Sequence, residues 1–230
     1  MDEAASIIQK SLKRFQQKLQ PGWTTAKAVD FISQVLLEEG AEGGFFVQIS
    51  PEEVAWHGQG GARVLQNGEL VTADVACHVG GFWADMACTF PIGLVNQKRL
   101  NLLEAAQRGT LAALGALGVG TKGKRVFEVL QGICEHYSVA LIREGAGHGI
   151  GRRLHQSPSL TYDGRLHEEL LGQHFYTVEP VFSAGNSDLL WNEDGSVQTL
   201  DASPTAHFEI TIVLEDHGPR VLGGWPFFFS

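Results

Sequence analysis

Cysteine is scarce in this chain of 230 residues, which contains only Cys77, Cys88 and Cys134. Three thiols cannot all pair with one another, so we expect free, buried thiols and a reducing, cytoplasmic setting rather than a disulfide scaffold. The sequence also has no CxxC or Cys/His finger spacing, and it therefore gives no support to a structural zinc module.

Basic residues and long apolar runs are also few. Seventeen Lys and Arg stand against 26 Asp and Glu, a formal net charge of −9 that disfavours nucleic acid as a partner. No apolar run approaches the roughly 20 residues that span a bilayer, so we expect no membrane association. The acidic beginning, Met1-Asp2-Glu3, does not resemble a secretory signal. With 43% hydrophobic residues, the composition is that of a globular domain.

The order of predicted elements occurs twice along the chain. Apolar spacings of three and four predict a helix over residues 4–20 and another that begins after the cap residue Thr24. Residues 100–115 and the segment around Val126 predict a second helix pair, and strand-like sequence follows each pair. We therefore expect one α+β domain with a shared sheet that faces one cleft.

A weak internal repeat supports two related halves within that domain. Thr24 and Thr121 are 97 positions apart, as are Lys27 and Lys124. We therefore treat residues 1–230 as a single domain whose halves are about 1–97 and 98–225.

Residues 69–92 predict a β-hairpin that carries two aspartates. If Gly80-Gly81 is the two-residue turn, Ala76 faces Asp85, and Asp74 lies on the same face as a diagonal neighbour of Asp85. Two carboxylates on an otherwise apolar hairpin repel each other unless a cation lies between them. The alternative is an exposed face on which both aspartates are simply solvated.

Alternating glycines surround a histidine in residues 145–158, GAGHGIGRRLHQSP. The spacing does not match the dinucleotide-binding GxGxxG pattern. Glycines on both sides of His148 would let other backbone or a metal approach closely. A lone histidine is otherwise an ordinary buried residue, and His155, seven positions later, is too far along for a helical zinc pair.

Two further carboxylates, Glu179 and Glu209, fall in strand-like apolar segments. Such an acid requires a salt bridge or a metal, and basic residues are scarce nearby. Together with Asp74 and Asp85 they carry a charge of −4, which two divalent cations would cancel. Oxygen and imidazole ligands suit Mn, Fe, Co or Zn, and paired metals about 3.5–4 Å apart occur in hydrolases.

These residues lie in motifs that resemble one known family over nearly the whole chain. The motifs are WHG at 56–58, ADVACHVGGFWAD at 73–85, GHGIGRRLHQSP at 147–158, VEP at 178–180 and FEITIV at 208–213. The chain resembles the methionine aminopeptidase family, in its short bacterial type I form, which has the pita-bread metallopeptidase fold. The resemblance implies an α+β architecture with two pseudo-symmetric halves around a shared antiparallel sheet.

The resemblance also implies a role for each site residue. Asp74 and Asp85 match the aspartate ligands, His148 and Glu179 match ligands of the second metal, and Asp85 and Glu209 match the bridging carboxylates. His57 and His155 match the histidines that contact the scissile peptide, and Glu179 matches the residue that moves a proton from the attacking water. The implied cofactors are two divalent ions (Co, Mn, Fe or Zn), and the implied substrate is the N-terminus of a peptide or nascent chain bound by a cytoplasmic monomer.

The chain departs from the family in the expected methionine pocket. Leu154 replaces an aromatic residue, Gln48 replaces a small one, and the loop at 194–197 lacks an aromatic residue. The loop before Phe45 is abbreviated, and Phe45 and Phe46 are candidate substitutes for the other aromatic residues of the pocket. An Xaa-Pro-type peptidase or broader aminopeptidase is therefore the alternative enzyme, and a noncatalytic pita-bread module that binds peptides or a partner is the alternative outside enzymes. The apolar segment 224–230 is expected to pack on the core or to form a protein contact.

Overall fold

A computed structural model describes residues 1–41, 44–121, 123–163 and 170–224. The predicted packing of the apolar end of the chain concerns residues 225–230, which lie outside the described residues.

The helices occur where the apolar spacing predicts them. They are α1 (Asp2–Lys18), α2 (Thr25–Glu38), α3 (Gln97–Ala116) and α4 (Gly123–Tyr137). The predicted cap of α2 is confirmed, because Thr24 Oγ1 accepts a hydrogen bond from the backbone N–H of Lys27 at 3.1 Å. The Asn96 side chain caps α3 in the same way through the Arg99 N–H.

The strands form four antiparallel sheets in the described part of the chain. They are β1 (Phe45–Pro51), β2 (Val54–Trp56), β3 (Leu70–Val79), β4 (Phe82–Pro91), β5 (Ala140–Leu141), β6 (Ala146–Gly149), β7 (Gln156–Thr161), β8 (His174–Val178), β9 (Val181–Ser183), β10 (Leu189–Trp191), β11 (Val197–Thr199), β12 (Thr205–His207), β13 (Ile210–Glu215) and β14 (Gly218–Val221). The sheet orders are β1-β3-β4, β10-β11-β2, β12-β9-β5 and β14-β13-β8-β6-β7.

The predicted hairpin register is confirmed. Gly80 and Gly81 adopt φ of +59° and +88°, which suits a tight two-residue turn between β3 and β4. Ala76 of β3 pairs with Asp85 of β4. On the other edge of β3, Asp74 pairs with Gln48 of β1. Because strand side chains alternate between faces, Asp74 and Asp85 lie on one face of this sheet.

Two segments that the sequence presents as single strands are broken at their acidic residue. Glu179 lies between β8 and β9, and Glu209 lies between β12 and β13. In both cases the chain leaves one sheet and enters another, since β8 and β13 belong to the five-stranded sheet and β9 and β12 to a three-stranded one. The expectation of acids inside continuous strands is therefore corrected to acids at the points where strands change sheets.

Threonine hydroxyls join β4 to the broken β12–β13 segment. Ala87 and Glu209 exchange two backbone hydrogen bonds, at 3.3 and 2.9 Å. On one side of this pair, Thr211 Oγ1 accepts from the Asp85 N–H (2.9 Å) and donates to the Asp85 carbonyl (2.7 Å). On the other side, Thr89 Oγ1 does the same for the backbone of His207. The sheets thus meet at a seam that contains Asp85 and Glu209.

One large apolar core lies between the helices and the sheets and includes residues from all four helices, such as Phe15, Ile32, Leu102 and Leu130. Cys77 and Cys88 are buried in this core, and all three cysteines are free. In the described part of the chain, none of the helices combines the length and hydropathy that a bilayer crossing requires.

Candidate metal centre and active site

All seven residues singled out for catalysis or metal binding line one cavity of about 220 Å³. They are Asp74, Asp85, His148, Glu179, Glu209, His57 and His155. The aspartates come from the β3–β4 hairpin, His148 from β6, and the glutamates from the two strand breaks. Residues more than 130 positions apart in sequence therefore meet at the seam between sheets.

The potential ligand atoms form two tight groups that share Glu209. In one group, ligand atoms of Asp85, His148 and Glu209 all lie within 4.8 Å of one another. In the other, the same holds for Glu179, His207 and Glu209. Asp74 lines the same cavity outside both groups. Three of the five predicted ligands thus form one group, and Glu179 joins Glu209 in the other group together with a histidine that was not predicted as a ligand.

Hydroxyl groups hold the ligand side chains in place. Thr177 Oγ1 donates to Glu179 Oε1 at 2.7 Å and accepts from the backbone N–H of His148 at 2.9 Å. The Tyr162 hydroxyl accepts from the Glu179 N–H at 2.8 Å. One threonine and one tyrosine, both buried, therefore set the position of two potential ligands relative to each other.

The glycines beside His148 allow close approach of other backbone. A Cβ on Gly147 would lie 2.3 Å from the Thr177 carbonyl oxygen, and one on Gly149 would lie 2.5 Å from the Ser157 carbonyl oxygen. The glycines at 147 and 149 are therefore explained by close approach of other backbone.

Burial and mutual repulsion disfavour the ionised carboxylates. Burial raises the pKa of Asp74 to about 7 and that of Glu179 to about 8, the latter despite the hydrogen bond from Thr177. The pKa of Asp85 and that of Glu209 are also raised, first by burial and then by the neighbouring carboxylates. Among the described residues, neither Glu179 nor Glu209 forms an ion pair with Lys or Arg. Burial argues against simply solvated aspartates, and the lack of such ion pairs argues against ordinary salt bridges as the explanation of the cluster.

The buried nitrogen and oxygen atoms fit a divalent cation. Within the described ranges, Asp85 Oδ1, Glu209 Oε1 and His207 Nε2 are buried without a hydrogen-bond partner. Burial lowers the pKa of His148 to about 4 and that of His207 to about 3, so both imidazoles are neutral and carry a lone pair. A cation would satisfy the orphaned atoms and reverse the repulsion among the carboxylates.

His57 and His155 face each other across the open side of the cavity. Both are exposed, and the His155 ring lies 4.4 Å from the His148 ring between centroids. Partial burial of its ring lowers the pKa of His155, and the nearby His57 imidazole lowers it further. Gln48 Nε2 lies 3.2 Å from His57 Nδ1. An amide nitrogen can only donate, so His57 Nδ1 accepts and Nε2 carries the proton.

A larger outer cavity of about 590 Å³ continues from Asp74 and Asp85. Phe46 and Leu154, which the sequence analysis singled out, both line it. Trp83 lines it too and stacks on Phe46, with 5.5 Å between the ring centroids. Arg152 and Arg153 complete its wall. Phe45, the other candidate aromatic residue, does not line either cavity.

Sequence reasoning missed two residues at the inner cavity, Glu144 and Trp191. Trp191 is 66% exposed and lies in β10, within a segment that the sequence presents as an irregular loop. A tryptophan in a segment without apolar periodicity was the signal available in the sequence. Trp191 restores an aromatic side chain near the position where the 194–197 loop lacks one.

Comparison with known proteins places this arrangement in a protein class. Residues 1–216 match the model of metallopeptidase family M24. The protein belongs to this family, and the expected α+β, pita-bread fold is confirmed.

Within the family, methionine aminopeptidases are among the similar proteins. Methionine aminopeptidase 1 of Bacillus subtilis is 26% identical over 233 residues, which cover 96% of this chain and 94% of that protein. The chloroplastic/mitochondrial methionine aminopeptidase 1D of Arabidopsis thaliana is 28% identical, and this chain spans only 61% of its length.

Solved structures agree with these relatives. The crystal structure of methionine aminopeptidase from Rickettsia prowazekii has 25% identity and a TM-score of 0.89, with 97% of this chain and 95% of that chain covered. A prolidase from Pyrococcus furiosus shares the fold alone, at 18% identity and a TM-score of 0.81 over 98% of this chain and 63% of its own.

Proposed function

We propose that this protein is a di-metal aminopeptidase that hydrolyses the first peptide bond of a chain and releases N-terminal methionine. The observation that carries the proposal is the convergence of four buried or half-buried carboxylates and His148 on one cavity, two of them with a carboxylate oxygen that has no hydrogen-bond partner among the described residues. Asp74, Asp85, His148, Glu179 and Glu209 would hold two divalent ions such as Mn, Fe, Co or Zn. We infer methionine as the released residue because methionine aminopeptidases align over nearly the whole chain.

Divalent cations in this cavity would supply Lewis acidity and would lower the pKa of a water molecule so that it attacks at neutral pH. Glu179 accepts the proton of the attacking water. Thr177 Oγ1 donates to Glu179 Oε1 and so holds the carboxyl group at the cavity wall, where it can accept that proton. The same carboxyl then returns the proton to the departing amine.

The two histidines at the open side act on the scissile peptide as hydrogen-bond donors. Gln48 fixes the His57 tautomer with the proton on Nε2, so His57 donates to the carbonyl oxygen as negative charge develops there. His155 lies beside His148 and is neutral because burial lowers its pKa. It therefore positions the substrate without adding positive charge close to the metal ligands.

The proposal also includes the setting of the enzyme. Three free cysteines, two of them buried, support a reducing compartment such as the cytoplasm. We propose a monomer that acts on the N-termini of peptides or nascent chains, with no nucleic-acid or membrane partner.

The test compares free-amine peptides before and after metal removal. We expect metal-loaded protein to release methionine from Met-Ala-Ser, the chelator-treated protein to be inactive, and added Mn²⁺ or Co²⁺ to restore turnover. Cleavage of Ala-Pro peptides in preference to Met-Ala peptides would instead identify an Xaa-Pro-type peptidase. Metal-loaded, folded protein that cleaves neither class would overturn the proposal and favour a noncatalytic binding module.

A further inference from the structure

His207 is a buried histidine that none of the assigned roles uses. It is the last residue of β12 and is only 2% exposed. Thr89 Oγ1 holds its backbone from both sides, accepting from the His207 N–H at 2.8 Å and donating to the His207 carbonyl at 3.0 Å. The imidazole therefore projects from a rigid point of the seam, two residues before Glu209.

The imidazole nitrogen Nε2 points into the carboxylate cluster without a hydrogen bond. Among the described residues it has no partner. Its distance to Glu209 Oε2 is 3.9 Å, which is too long for a hydrogen bond. A buried nitrogen without a hydrogen-bond partner is unfavourable unless a ligand binds it.

The separations between the surrounding ligand atoms suit a metal ion. Ligand atoms of Glu179, His207 and Glu209 lie within 4.8 Å of one another. Two ligands at about 2.0–2.2 Å from one tetrahedral ion are roughly 3.4 Å apart. His148 Nε2 and Glu179 Oε1, which are both assigned as ligands, are similarly separated at 3.5 Å. Modest movement would bring all three atoms of the His207 group to ligand distances.

We propose that His207 Nε2 is a sixth protein ligand, which binds one of the two ions together with Glu179 and Glu209. This inference rests on the proposed metal centre. It adds a second imidazole to the centre, since His148 already groups with Asp85 and the shared Glu209. A second nitrogen ligand favours Zn and Co over Mn, since imidazole suits the former and carboxylates suit the latter.

The decisive variant is His207→Gln, whose amide keeps the size and the hydrogen-bond donor of the imidazole but is a poor metal ligand. Titration calorimetry on metal-free protein should show at least a 100-fold loss of affinity in one of two Zn²⁺ binding steps, with a smaller loss for Mn²⁺. His217→Gln, at an exposed turn residue, is the matched control and should bind both metals as the unaltered protein does. Circular dichroism checks that each variant is folded.

A role for His207 as a hydrogen-bond partner only predicts a different result. In that case His207→Gln keeps both affinities within about threefold, and the proposal is overturned. X-ray absorption of the unaltered protein loaded with two Zn²⁺ is independent of the variant: two imidazoles per two ions support the proposal, and one contradicts it. Failure of the unaltered protein to bind any divalent metal would instead overturn the metal centre as a whole.

Discussion

At the scale of single residues, the candidate site is a set of charges that destabilise the fold until they are neutralised. Asp85 and Glu209 are 7% and 2% exposed, and each has a carboxylate oxygen without a partner among the described residues. Each raised carboxyl pKa expresses the same unfavourable interaction, because burial and like charges both disfavour the ionised form. Function and stability therefore make opposite demands on these side chains.

Asp85→Asn should separate these two demands. Removing one of the repelling carboxyl groups is expected to raise the stability of the metal-free protein by about 1–3 kcal/mol in urea unfolding, as expected for a strained functional site. Turnover of Met-Ala peptides should fall by at least about 10³-fold, because an amide is a weak metal ligand. Asp30→Asn, at an exposed position of α2, should change neither measurement. An active Asp85→Asn variant would contradict the ligand assignment.

His155→Ala tests the role assigned to the exposed histidines. We expect kcat to fall by roughly 10²-fold or more, because a donor to the reacting peptide is lost. Metal stoichiometry should stay unchanged, since His155 is exposed at the mouth of the cavity and belongs to neither ligand group. His136→Ala, at an exposed position in α4, is the control. A loss of bound metal in His155→Ala would show that His155 is a metal ligand instead.

At the scale of elements, the site depends on how closely strands approach one another. β6 lies against β8 with no room for a side chain at Gly147, and this contact places His148 beside Glu179. The hairpin and the helices follow from local patterns, so their registers and caps could be predicted. Pro180 indicates locally that β8 ends after Glu179. That the chain then enters another sheet could not be predicted, because sheet membership depends on distant segments.

Gly147→Ala should therefore push β6 away from β8. A methyl group 2.3 Å from the Thr177 carbonyl oxygen forces a backbone shift, which we expect to destabilise the protein by roughly 1–3 kcal/mol and to weaken metal binding. Gly132→Ala is the matched control, since its new methyl group meets nothing within 4 Å on the exposed side of α4. That variant should be neutral or slightly stabilising. Equal behaviour of the two variants in thermal unfolding and calorimetry would disprove the packing argument.

At the scale of the whole molecule, the sheets are held together across the seam, and the seam contains the acidic cluster. Thr211 and Thr89 connect β4 to the segment that carries Glu209, so assembly of the sheets and assembly of the site are the same event. Stability of the whole chain should consequently report on the ionisation of the site.

The metal-free protein should lose stability as the pH rises from about 7 to 8. Asp74 and Glu179 have folded-state pKa values of about 7 and about 8, above the values near 4 of unfolded carboxyls. The folded state therefore binds more protons, and the free energy of unfolding falls by up to about 1.4 kcal/mol per pH unit for each carboxyl still protonated. The buried histidines are neutral in the folded state, and with an unfolded pKa near 6.5 they are only about a quarter protonated in the unfolded state at pH 7.0, so they oppose the trend weakly.

Thermal unfolding at pH 7.0, 7.5 and 8.0 measures this slope. Excess Mn²⁺ should flatten or reverse it, because metal binding stabilises the ionised carboxylates and releases their protons. A metal-free protein whose stability rises across this range would show that the carboxylates are already ionised, and it would remove the electrostatic argument for a cation.

The sequence by itself determined which residue types were available and where the local elements form. Alternation and the Gly80-Gly81 turn sufficed to place Asp74 and Asp85 on one face, because a hairpin register is a short-range property. Only the tertiary structure decided that Glu179 and Glu209 lie at strand breaks, that Trp191 reaches the cavity, and that His207 points into the carboxylate cluster. These positions depend on contacts between segments more than 100 residues apart, and such contacts leave no local pattern in the chain.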